Sequence, residues 1–203
     1  MLGNALGVRV VTNSFSAAAK AALARAGIVK ADEWQGTYPE ATVTCVRNAD
    51  TDKRFLTDAE LDEIAAQSAS QSETLASVRG LRDRADDIVT EARTNVLSQF
   101  PGITEPGGDL YPAARAEACW RDFWHFLRCT SYGIAGQNLQ FVSAEGTHHM
   151  NILYRELNVP LAAMRQGVAE LKTASMKRLE GDRATLVAPY FDRLIERLSD
   201  FTA

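Results

Sequence analysis

The stretch Ala118-Cys119-Trp120-Arg121-Asp122-Phe123-Trp124-His125-Phe126-Leu127-Arg128, continuing Cys129-Thr130-Ser131-Tyr132-Gly133-Ile134-Ala135-Gly136, decides how this chain folds. It has no proline and a single internal glycine. Apolar residues recur at three- and four-residue spacing (Ala116, Trp120, Phe123, Trp124, Leu127, Ile134), the period of a helix with one face turned to a core. Pro112 suits a first helical turn, where its missing amide costs nothing, and Gly136 is a natural stop. The spacing predicts one long helix from Pro112 to about Gly136.

The same helix carries the most distinctive chemistry. Cys119 and Asp122 are three apart and share a face, with the long side chain of Arg121 beside them. A thiol, a carboxylate and a guanidinium suit a cofactor that attaches through sulfur and carries both N–H donors and carboxylates. A linear tetrapyrrole is such a molecule: its pyrrole N–H groups meet a carboxylate, and its propionates meet an arginine fork. On spacing alone, Cys-x-Arg-Asp also arises where the cysteine is packed in a core. The remaining candidates are weaker. His148 and His149 are adjacent, so on a helix they point about 100° apart and make a poor metal pair. His125 sits among aromatic residues and reads as a partly buried imidazole, a haem ligand being the alternative. Asp62-Glu63 and Asp86-Asp87 read as solvated helix faces. The chain has no Gly-rich phosphate loop, no His-Glu-x-x-His and no Cys-x-x-Cys. No catalytic constellation emerges, and none is expected.

Working outward, the rest of the chain is also helical in pattern. Ser14 to Ala26 reads as a short helix stopped by Gly27, and Glu33 to Cys45 as an irregular connection. Ala41–Val46 has strand-like residues with no partner strand. Thr57-Asp-Ala-Glu60 is a capping box. A periodic series from Leu75 to Val96 predicts a helix that Gly80 bends, and Phe100 to Asp109, rich in proline and glycine, predicts a loop. Further helices are expected at about 147–158, 160–179 and 182–201, the last kinked or begun at Pro189. Six or more helices of unequal length suggest an all-α, globin-like pack rather than a regular four-helix bundle.

The composition fits one domain with an extension: 203 residues, 46% hydrophobic and 24% charged. A net charge of −4 argues against a nucleic-acid binder, which needs a basic footprint. Three cysteines make a disulfide framework improbable and indicate a reducing compartment. The charge is unevenly spread. Residues 1–31 hold four basic residues (Arg9, Lys20, Arg25, Lys30) and no acidic one, leaving a net of −8 on the other 172. That start has the composition of an organelle transit peptide, whereas Asn4 and Arg9 break any secretory signal within Met1–Val11. No window reaches the roughly 18 apolar residues of a membrane span.

The stretch quoted first resembles the chromophore-binding helix of phycobiliproteins, in which Cys is followed by x-Arg-Asp, then Leu-Arg, then Thr-Tyr-Gly. Five more segments resemble the family in the same order. Asn48 to Leu61 resembles the start of its globin-like part, and Pro106-Gly-Gly-Asp-Leu-Tyr111 the loop that allophycocyanin α-type chains place before the chromophore helix. Tyr154-Arg-Glu-Leu-Asn-Val-Pro160 resembles its Tyr-Lys-Ser-Leu-Gly-x-Pro turn, and Gln166-Gly-Val with Pro189-Tyr-Phe-Asp192 its closing helices. Cys129, Ser131 and Gln137 depart from the family pattern, as do Trp120, Trp124 and Phe126. Residues 1–40 have no counterpart. The resemblance is therefore to a divergent member, a minor core component or a pigment domain related to the core-membrane linker, although Cys119 stands at the ordinary α-type attachment position.

The resemblance implies the all-α, globin-like phycobiliprotein fold with an N-terminal helical arm, divided into an extension over 1–40 and the domain over 41–203. It implies a non-enzymatic antenna protein of the phycobilisome, on the cytoplasmic or stromal face of the thylakoid membrane. A pigment-free structural member docking through residues 1–40 is the alternative. The cofactor implied is a covalently bound linear tetrapyrrole, phycocyanobilin, held by thioether at Cys119. Asp122 would meet the N–H groups of rings B and C, Arg121 a propionate, and Tyr132 and Tyr154 would wall ring D. The partners implied are a β-type subunit, higher (αβ) assemblies and linker proteins, with no nucleic acid and no transmembrane segment. On this reading the basic first 31 residues are an added docking element rather than a transit peptide.

Overall fold

The computed structural model describes residues 15–67 and 71–202. Arg9, the stretch Met1–Val11 and the expected helix start at Ser14 lie outside them. Among the described residues there are nine α-helices, one short 3-10 turn and no strand, as the sequence pattern predicts. The helices are α1 (Ala17–Arg25), α2 (Glu40–Thr51), α3 (Asp58–Ala65), α4 (Ser72–Asp83), α5 (Ala85–Gln99), α6 (Ala113–Ala135), α7 (Ala144–Glu156), α8 (Leu161–Met176) and α9 (Arg183–Ser199), the 3-10 turn being Ala31–Trp34.

Helix α6 is the axis of the molecule. It starts after Pro112, ends at Gly136, and is buried without interruption from His125 to Ala135. The apolar stripe read from sequence accounts for Trp120, Phe123, Leu127 and Ile134, all at most 5% exposed. At this depth the polar side chains must find partners within the fold. Thr130 and Ser131 donate to the carbonyls of Phe126 and Arg128, and Arg128 itself is paired. Helices α4, α5, α8 and α9 pack around α6, with α5 along α8 and α8 against α9. At one crossing Gly167 of α8 faces the ring of Phe123, and a side chain at 167 would fall onto that ring.

The capping box forms as expected. Thr57 Oγ1 accepts from the Glu60 amide at 3.3 Å, and Glu60 accepts from the Thr57 amide at 2.8 Å. Arg54 clamps the same carboxylate with two bonds of 2.6 and 2.8 Å, fixing the α2–α3 corner. Three expectations need correction. The stretch Glu33–Cys45 is not irregular throughout: α2 begins at Glu40, because Thr42, Val43, Cys45, Val46 and Ala49 bury one face, at helical spacing, against the core. The Leu75–Val96 series is two helices, broken at Arg84 (φ −113°, ψ 15°) rather than bent at Gly80. The break redirects the chain so that α4 lies on α6 while α5 lies on α8, and Asp86 and Asp87 then favour a new helix N-terminus. Helix α9 is already formed before Pro189. The proline removes one amide partner, but Thr185, whose carbonyl loses it, is exposed to water.

The segment before α2 packs onto the rest of the chain. Helix α1 is capped by Ser16, whose hydroxyl accepts from the Ala19 amide, and lies along α7, burying Ala19, Ala22 and Ala26. Backbone bonds run from Gly27 N–H to the Gly146 carbonyl and from Ser143 N–H to the Ile28 carbonyl, at 3.2 and 2.8 Å. Arg25 and Lys30 both bind the Glu145 carboxylate. Trp34, 2% exposed, is buried against Gly136.

Candidate functional site

Helix α6 carries Cys119, Trp120 and Asp122 into a pocket completed by Leu110 from the loop before it, Tyr154 of α7, and Pro160 with Met164 at the start of α8. One residue outside the pocket ties these parts together. Arg115 donates to the carbonyls of Asp109, Leu157 and Asn158 at 2.6–2.8 Å, joining the loop before α6 to the α7–α8 turn.

The polar core of the pocket is a carboxylate with an open side. Tyr154 OH donates to Asp122 Oδ2 at 2.8 Å, while the buried Oδ1 has no hydrogen-bond partner. Burial pushes the Asp122 carboxyl up to about 7, against the opposing Tyr154 bond and the Arg121 charge. Burial, with the neighbouring Asp122 charge, also pushes the Cys119 thiol up to about 12. Trp120 brings a second orphan, a buried indole N–H without an acceptor, and the Arg93 guanidinium stacks over its ring at 5.3 Å. The enclosed space is about 10 Å³, near the volume one water needs.

Of the residues singled out from sequence, Cys119, Asp122 and Tyr154 come together. Arg121 lies on the exposed face of α6 with no ion pair among the described residues, and the neighbouring Glu117 pairs with Arg93. Tyr132 is not brought to the site. Thirteen residues after Cys119 the helix has turned by about 220°, so the ring points into the opposite side of the core. There its hydroxyl accepts from Arg128 Nη1 at 2.6 Å and donates to the Arg54 carbonyl. Arg115 and the apolar wall of Leu110, Pro160 and Met164 were missed, because they come from loops and neighbouring helices that no local period connects to Cys119. Only the Pro-Gly-Gly loop marked that region.

His125 does not line the Cys119 pocket: its Nδ1 accepts from Arg128 Nε at 3.2 Å on the other side of α6, and burial pushes the imidazole down to about 4. Among the described residues no group of three His, Cys, Asp or Glu side chains could hold a metal ion. No helix there is long and apolar enough to cross a membrane.

The family model described as "Phycobilisome protein" matches residues 44–198. The allophycocyanin alpha chain of Cyanophora paradoxa is 32% identical over 151 residues, covering 74% of this chain and 94% of the relative. Allophycocyanin alpha chain 2 of Microchaete diplosiphon is 31% identical over 153 residues (75% and 95%), and the allophycocyanin alpha chain of Galdieria sulphuraria 30% over 148 (73% and 92%).

Proposed function

The chain belongs to the phycobilisome protein family, a globin-like family of light-harvesting, non-enzymatic proteins, and on that premise we propose that it is a bilin-carrying antenna subunit that passes excitation energy toward the photosystems. The observation that carries this reading is the Asp122 carboxylate: buried, fixed on one side by Tyr154, and open on the other into the pocket that Cys119 borders. A buried acceptor without a donor is costly, and pyrrole N–H groups are donors of the right kind.

When bound, the pigment supplies the conjugated system that absorbs visible light. Cys119 Sγ would hold it by a thioether, Asp122 Oδ1 would accept from its inner N–H groups, and exposed Arg121 would bind a propionate with charge-assisted bonds. Tyr154 keeps the Asp122 carboxylate in one orientation. Phycocyanobilin is the bilin this reading favours. We assign residues 41–203 to the pigment domain and residues 1–40 to an appended segment. A β-type subunit, higher (αβ) assemblies and linker proteins are the proposed partners, at the cytoplasmic or stromal face of the thylakoid.

The tightness of the pocket supports a second reading, a pigment-free structural member of the same family. Seating a tetrapyrrole in a space of about 10 Å³ requires pocket side chains to give way. One experiment separates the two: co-production with a phycocyanobilin source, followed by zinc-induced fluorescence of the denatured band. A fluorescent parent band that disappears in Cys119→Ala is expected; a dark parent band supports the structural reading, and a fluorescent Cys119→Ala band overturns the attachment site.

A further inference from the structure

A second cavity, of about 200 Å³, lies across Phe126 from the Cys119 pocket, between residues 24–30 and helix α6. Its polar wall is made by Arg128, His125, Lys53 and Asp50, with Lys30 and Arg25 at the rim of the arm. Asp50 is the one carboxylate among these residues, and both of its oxygens are engaged: Oδ1 accepts from Arg128 Nη1 at 2.9 Å and Oδ2 from Lys53 Nζ at 3.2 Å. Arg25 and Lys30 share Glu145. Four basic side chains against two acidic ones leave a local excess of two positive charges in a chain whose net charge is −4.

What remains for a ligand is a set of donors. Arg128 is 1% exposed; its Nε and Nη1 serve His125, Asp50 and Tyr132, while among the described residues its Nη2 has no hydrogen-bond partner. Because His125 Nδ1 accepts from Arg128, the neutral ring carries its proton on Nε2, and that N–H also has no partner among the described residues. The Lys53 ammonium has hydrogens to spare beyond its bond to Asp50. Lys53 sits in the left-handed region (φ 55°), an uncommon conformation for lysine that holds the residue at the cavity wall. Neither Arg128 Nη2 nor His125 Nε2 is among the fully buried unpaired polar atoms, so both keep accessible surface where an acceptor in the cavity can reach them.

We propose that this cavity binds a small oxyanion, either phosphate or the carboxylate of a small organic acid, held by Arg128, His125 and Lys53 beneath the N-terminal arm. A guanidinium fork beside an ammonium is the donor arrangement that recognises such groups. The arm closes the cavity with Ile28 and Val29, both 5% exposed, so the site suits a small free ion rather than a side chain of another protein.

The test is thermal unfolding of the full chain in sodium phosphate or sodium acetate, each against sodium chloride at equal ionic strength. We expect one oxyanion to raise the midpoint beyond chloride, linearly in the logarithm of its concentration once the site fills. Protection by phosphate alone assigns a phosphate site, and protection by acetate assigns a carboxylate site. Lys53→Asn, which suits the left-handed backbone and leaves the Arg128–Asp50 pair in place, should weaken binding by about tenfold. The His125 ring proton signals should shift with the same titration. Equal behaviour of both anions and chloride overturns the proposal, as does undiminished protection in Lys53→Asn or a His125 signal that does not move.

Discussion

The Gly27 amide donates to the Gly146 carbonyl, and the Gly27 carbonyl in turn occupies the place where a side chain on Gly146 would begin. Arm and domain thus meet backbone to backbone, with no side chain between them. Alanine in place of an exposed helical glycine normally stabilises by up to about 1 kcal/mol; here the sign reverses. Gly146→Ala should cost about 2 kcal/mol, the range of a small overpacking, and should act locally. Amide hydrogen exchange across residues 17–34 should speed up while α8 and α9 keep their protection. Unchanged exchange in the arm would contradict the contact.

Asp122 makes the unpigmented protein less stable as pH rises. Its carboxyl is raised from the ordinary 3.8 to about 7, so between those values the folded state binds more protons than the unfolded one. Stability then falls with pH through that window, by about 4 kcal/mol in total, and stays low above it. Asp122→Asn should remove this slope and be the more stable protein at pH 8. In the pigmented protein the same substitution should broaden and blue-shift the visible band, because the N–H groups lose their carboxylate.

His125 works in the opposite direction. Burial first, then the charges of Arg128 and Lys53, push it from 6.5 down to about 4. A histidine held neutral contributes stability above pH 6.5 that is lost as pH falls toward 4, about 3 kcal/mol in all. His125→Gln should lack this acid-side loss. Urea unfolding at pH 4.5 and 6.5 should therefore give His125→Gln and Asp122→Asn slopes of opposite sign relative to the parent; slopes of equal sign would refute the assignment of the residue whose slope is reversed.

Asp50 balances the charge of a nearly inaccessible arginine, the Arg128 side chain being 2% exposed and their separation 2.9 Å. Asp50→Ala leaves that guanidinium to Tyr132 and His125 alone and should cost about 3 kcal/mol. Asp50→Asn, which keeps an acceptor, should cost less. The urea midpoint, with an unchanged m-value, is the measurement that checks both.

Much of this was legible in the residues. Helix α6 announced itself through its apolar stripe between Pro112 and Gly136, and Thr57 with Glu60 marked the start of α3. Cys119 and Asp122 were readable because spacing alone puts them on one face. Tyr154 joined them only through the family resemblance, since its distance from Asp122 is set by how α7 crosses α6. The break at Arg84 was hidden because the apolar period runs through it; what separates α4 from α5 is the helix each one packs against. Tyr132 was misplaced because a motif lists residues in order without saying which way each one points.

The Cys119 thiol, pushed up to about 12 by burial and by Asp122, has a consequence for the pace of maturation. At pH 8 about one molecule in ten thousand carries the reactive thiolate at any instant. Attachment without a helper would draw on that scarce population, and its rate should climb tenfold with each pH unit until the thiol ionises. On the proposed attachment at Cys119, the burial that would shield a finished linkage is also a kinetic brake on making it, and newly made chains would spend most of their early life waiting rather than reacting.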